Sequence, residues 1–112
     1  MGIELELHSA RPTRYNWETS RTTLLQGSYG HGEALAQVLA AFTMDRPGRL
    51  GWVDPYGNTL FNGQEAEAAL REVAGLLDRC TDASQTAAVG DLEALLRSCA
   101  VTPGSCLWFI GE

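Results

Sequence analysis

Gly51-Trp52-Val53-Asp54-Pro55-Tyr56-Gly57-Asn58-Thr59-Leu60-Phe61-Asn62-Gly63-Gln64-Glu65 reads as a strand, a tight turn, a second strand and the start of a helix. Asp54 suits the first turn position, Pro55 pre-sets φ at the next, and Gly57 is expected to supply a positive φ. Asn62 reads as an N-cap, with Glu65 placed to complete a capping box. The expected hairpin strands are 49–53 and 58–61. Trp52 then becomes a core aromatic beside Trp108 of a neighbouring strand.

Working outward, Ile3, Leu5 and Leu7 alternate with Glu4, Glu6 and His8, the pattern of a strand with one wet face. Residues 9–30 carry weak signals, and the run from Gly27 to Gly32 reads as loop. Leu35, Val38, Leu39 and Phe42 recur at helical spacing over about 33–44. A middle helix is expected from Gly63 to about Arg79, and a third over at least 91–99. The run Cys106-Leu107-Trp108-Phe109-Ile110 is apolar throughout, which suits a central strand covered on both faces. The sum is one α+β domain over residues 1–112. It is a four-stranded, mostly antiparallel sheet (β-α-β-β-α-α-β) with helices packed on it.

The chain carries eight Arg, no Lys and fourteen acids, a net charge of −6. Up to Val53 five Arg meet five acids; from Asp54 onward nine acids meet three Arg. That asymmetry argues against a nucleic-acid surface, which needs a basic face. It favours a positively charged protein partner or, more commonly for such a surface, nothing beyond solubility. The absence of Lys removes Schiff-base chemistry and the phosphate-binding P-loop lysine. No apolar run approaches the roughly 20 residues of a membrane span. The acidic N-terminus is unlike a signal peptide, so a cytoplasmic protein is expected. Cys80, Cys99 and Cys106 have no metal-ligand spacing and read as buried thiols; neither a metal nor another cofactor is expected.

No arrangement of side chains spells a catalytic centre. Arg14, Tyr15 and Trp17 interleave charge with aromatic rings, a composition suited to a binding surface. His31 lies in a glycine-rich loop, His8 at a strand end, and both read as surface or half-buried histidines. Asp54 and Tyr56 sit at the hairpin tip, where turn chemistry alone accounts for them. Glu65 and Glu72 share a face of the expected middle helix, an acidic stripe suited to a basic partner or simply to solvent. Two further readings stay open. One is a small-molecule binder or small enzyme built on 11–32 with Arg14, Trp17, His31 and Asp54. The other is a homo-oligomeric scaffold with an apolar patch on its alanine-rich helices.

The segment Asp54-Pro55-Tyr56-Gly57-Asn58-Thr59-Leu60-Phe61-Asn62, with the ending Cys106-Leu107-Trp108-Phe109-Ile110-Gly111-Glu112, resembles a group of small, poorly characterised bacterial α+β proteins. Those share an Asp-Pro-Tyr-Gly-x-Thr-x-Phe-Asn hairpin and a closing Phe-Ile-Gly-acid strand. The resemblance covers roughly the C-terminal half and carries no catalytic residues. By analogy with toxin-neutralising immunity proteins of this size and acidity, it implies a non-enzymatic protein that covers a basic partner.

Overall fold

The computed structural model describes residues 2–10, 23–45 and 48–111. Strand β1 (Ile3–His8) is followed by β2 (Leu24–Ser28), helix α1 (Gly32–Asp45) and a 3₁₀ turn (Arg49–Trp52). Next come β3 (Asn58–Asn62), α2 (Gly63–Leu70), α3 (Val73–Leu77), α4 (Ala83–Val101) and β4 (Cys106–Gly111). The four strands form one sheet in the order β2-β1-β4-β3, antiparallel at every pairing. The fold class is therefore α+β, with the helices of the described residues packed on that sheet.

Strand β4 is interior, paired with β1 from Ile3↔Gly111 to His8↔Cys106 and with β3 from Asn58↔Ile110 to Asn62↔Cys106. Its alternate residues Leu107 and Phe109 join Ile3, Leu5, Leu7 and Phe61 in the core beneath the helices. Cys106 and Trp108 point the other way and are buried too. The continuous apolar run is thus a strand covered on both faces, as its composition requires. Phe61 and Phe109 meet edge-to-face with centroids 4.9 Å apart.

Five local readings are corrected. Residues 49–52 form a 3₁₀ turn, and the remaining strand is Leu24–Ser28, in a stretch expected to be loop. Trp52 is accordingly exposed. The middle helix is two, divided at Arg71-Glu72, where the N–H groups bond three residues back to the Ala68 and Ala69 carbonyls. Gly57 does not take positive φ; among the described residues Gly104 does, at 77°. Gly57 serves another purpose, since a Cβ there would lie 2.7 Å from an Asp54 carboxylate oxygen.

Helix α4 runs through Gly90, beyond the expected start. It begins at Asp82, whose side chain accepts from the Gln85 N–H at 2.8 Å. The capping box at α2 is complete: Asn62 Oδ1 accepts from Glu65 N–H at 2.8 Å, and Glu65 Oε1 accepts from Asn62 N–H at 3.0 Å. No helix of the described residues is long and apolar enough to cross a membrane.

Two substitutions calibrate these elements. Gly90 is exposed with open space around it, so Gly90→Ala should raise stability by about 1 kcal/mol from helix propensity. Asn62→Ala should lower it by about 1 kcal/mol through the lost cap. Chemical denaturation measures both as opposite shifts in midpoint at unchanged slope.

Candidate functional site

The 3₁₀ turn is held from outside itself. Glu72 Oε2 accepts from the Arg49 N–H at 2.9 Å, and Oε1 from the Leu50 N–H at 3.2 Å. A Cβ on Gly48 would collide with that carboxylate, so a larger residue before the turn would displace the Glu72 side chain. Leu50 drops into the core at 1% exposure. In a 3₁₀ turn, side chains three apart eclipse one another, which sets Arg49 beside Trp52. The Arg49 guanidinium carbon lies 4.4 Å from the centroid of the Trp52 ring. Arg49 Nη1 also stands 3.6 Å from Glu65 Oε2.

The chain then turns over the end of the sheet. Asp54 N–H donates to Thr59 Oγ1, and Tyr56 N–H donates to Asp54 Oδ1, both at 2.9 Å. Gly111 N–H donates to the Gly57 carbonyl at 2.8 Å. A Cβ on Gly111 would lie 2.5 Å from the Pro55 carbonyl, so this loop closes directly onto the last residue of β4. On that fixed backbone Trp52 is 67% exposed and Tyr56 70% exposed.

The structure therefore gathers Asp54, Tyr56, Glu65 and Glu72 around the 49–56 segment. It gives the acids different work from a shared helical stripe: Glu72 holds two backbone N–H groups, and Glu65 is divided between its cap and Arg49. Sequence reasoning placed Trp52 inside, although the Arg49/Trp52 spacing matches a 3₁₀ stack. Arg14, Tyr15 and Trp17 lie outside the described residues.

His31 stands apart. Its Nε2 is 3.6 Å from Asp91 Oδ2, which also accepts from the Ser28 hydroxyl at 2.9 Å. His31, Glu33, Gln37 and Asp82 line a polar concavity of about 330 Å³ between the starts of α1 and α4. Asp54 instead bonds within its own loop.

His8, expected at the surface or half-buried, is wholly buried against Trp108, their ring centroids 4.9 Å apart. Its Nδ1 lies 2.8 Å from Thr23 Oγ1 and its Nε2 3.0 Å from Glu6 Oε1. Tyr29 O–H donates to Glu6 Oε2 at 2.8 Å. A hydroxyl, an imidazole and a carboxylate in line resemble a nucleophile relay. Here the ring is wholly buried, and the contacts tie β1 to Thr23 and Tyr29, the residues that flank β2. Tyr29 reaches Glu6 by folding over Gly27, where a Cβ would lie 2.5 Å from its ring. Among the described residues no three His, Cys, Asp or Glu side chains are placed to hold a metal ion.

No protein-family model matches this chain, and no curated protein or solved structure gave a significant match.

The Tyr29 contact is measurable. Although the residue as a whole is half exposed, desolvation of its phenol first, then the Glu6 hydrogen bond and the charges of Glu6 and Glu4, push its pKa up to about 12. A phenol raised above its unfolded value supports the fold fully below about pH 10 and loses that support as pH climbs through about 12. An alkaline absorbance titration should show one phenol near pH 12. That step should vanish in Tyr29→Phe and move down in Gly27→Ala, which pushes the ring off Glu6.

Proposed function

We propose that this is a non-enzymatic binding protein that docks a protein partner through Trp52 and Tyr56. The observation that carries the reading is two large aromatic side chains, 67% and 70% exposed, on a segment whose backbone is pinned at Arg49, Leu50, Asp54, Tyr56 and Gly57. Side chains presented on a fixed backbone lose little further freedom on docking. Tryptophan, tyrosine and arginine are also the residues most enriched where interfaces concentrate their binding energy.

The charge of −6 directs the choice of partner. Exposed Asp54 lies beside both anchors, and Glu33, Glu67, Asp78, Asp82 and Asp91 add exposed acids elsewhere. A basic protein is steered toward such a surface and held in register by it. Together with the resemblance of the Asp54–Asn62 segment, this supports an immunity-type neutraliser acting on a basic protein in the cytoplasm. A second reading, a small-molecule binder, has the concavity beside His31 in its favour. Its acidic lining of Glu33 and Asp82 suits a small organic cation.

The test is capture from the cells that make the protein, using wild type and the Trp52→Ala/Tyr56→Ala variant, followed by titration of the purified captured protein. A basic protein should be retained by wild type. Each truncation should weaken binding by at least about 2 kcal/mol, roughly 30-fold in Kd. Equal retention by the double variant, with the far-ultraviolet dichroism of both unchanged, would overturn the reading.

A further inference from the structure

We infer that Arg49 is the positioning residue of the docking site: it holds the Trp52 ring as a pre-set anchor, and the Glu65 carboxylate holds Arg49 in turn. The role presupposes docking through Trp52 and Tyr56, and it names the side chains on which the geometry of that site depends.

A pinned backbone does not by itself fix a tryptophan. Glu72 captures the N–H groups of Arg49 and Leu50, and the Val53 N–H donates to the Leu50 carbonyl at 3.3 Å. Those bonds set the path of the 3₁₀ turn, while the Trp52 side chain keeps two torsions of its own. At 67% exposure the core does not hold the ring. An aromatic side chain that is free before docking and fixed after it weakens binding by about two- to tenfold.

Arg49 removes that freedom. Its guanidinium carbon lies 4.4 Å from the ring centroid, so a planar cation covers one face of the indole. The Arg49 side chain is itself only 31% exposed, and its Nη1 stands 3.6 Å from Glu65 Oε2. Glu65 is fixed by the capping box. Its Oε1 accepts from the Asn62 N–H at 3.0 Å, and its own N–H donates to Asn62 Oδ1 at 2.8 Å. The line Asn62, Glu65, Arg49, Trp52 thus runs from a helix cap to an exposed ring. Each member limits the rotamers of the next, which is how a supporting shell fixes a binding group.

The same line settles a conflict of charge. A bare guanidinium beside the anchor would repel a basic partner, and the Glu65 carboxylate offsets it. One face of the indole is taken by Arg49, and the opposite face is left for the partner.

Relaxation of the indole N–H groups in the purified protein is the test, with the Trp52 signal assigned by its loss in Trp52→Ala. Wild type should give a Trp52 order parameter above about 0.6, and Arg49→Met and Glu65→Gln should each lower it below that value. Glutamine serves the capping box as well as glutamate does, so Glu65→Gln removes the ion pair and keeps the cap. Asn62→Ala loses the side-chain cap but keeps the backbone N–H that holds Glu65, so it should lower stability and leave the Trp52 indole ordered. For the basic protein captured by wild type, Arg49→Met should weaken binding by about two- to tenfold, less than Trp52→Ala does. Equal capture by the Trp52→Ala/Tyr56→Ala variant would overturn the docking reading and the anchor role with it. The positioning itself would be overturned by different results: a mobile Trp52 indole in wild type, an unchanged one in Arg49→Met or Glu65→Gln, or an equal drop in Asn62→Ala. Affinity unchanged in Arg49→Met, or lost there as fully as in Trp52→Ala, would overturn it too.

Discussion

Both oxygens of the Glu72 carboxylate are committed to the backbone of a segment more than twenty residues earlier, at Arg49 and Leu50. That commitment shapes everything around it. Glu72 sits at the junction where α2 ends at Leu70 and α3 starts at Val73, its backbone still right-handed helical. Gly48, lacking a side chain, leaves the carboxylate room to approach. The captured N–H groups then close a 3₁₀ turn, with Leu50 directed into the core and Trp52 into solvent. A partly buried backbone donor left without a partner costs about 1–3 kcal/mol, so two such donors make this a strong local constraint.

The same contact explains where the sequence was readable and where it was not. Elements governed by near neighbours were legible: the alternation of Ile3, Leu5 and Leu7, the helical spacing of Leu35 to Phe42, the Asn62/Glu65 box and the apolar run of β4. Residues 49–53 looked like a strand because Leu50 and Trp52 alternate with polar or small neighbours, and nothing local announces Glu72. Strand β2 was missed because its five residues include Gly27, a strand-weakening choice. That glycine becomes intelligible only once Tyr29 is seen folded across it toward Glu6. His8 is similar, since its burial comes from Trp108 and Thr23, which are far away in sequence. At the candidate site Asp54 and Tyr56 were nameable from turn chemistry. Trp52 was not, because its exposure depends on the same distant carboxylate.

The acids divide along these lines. Several are engaged within the fold: Glu72 at the turn, Glu65 and Asp82 at helix caps, Glu6 between His8 and Tyr29, and Glu93 on Arg97 at 2.9 Å. A net charge therefore overstates what is available to a partner. Exposed Asp54, beside Trp52 and Tyr56, marks a place where acidity coincides with presented apolar surface. Charge and exposed apolar area together make a stronger case for recognition than either does alone.

Amide hydrogen exchange at Arg49 and Leu50, compared between wild type and Glu72→Ala with the β4 amides as internal reference, tests the central claim most directly. The account predicts slow exchange at both positions in wild type. In the variant it predicts acceleration there, with the β4 amides unchanged and the Trp52 fluorescence shifted as its stack with Arg49 loosens. Fast exchange in wild type, or equal protection in the variant, would contradict it.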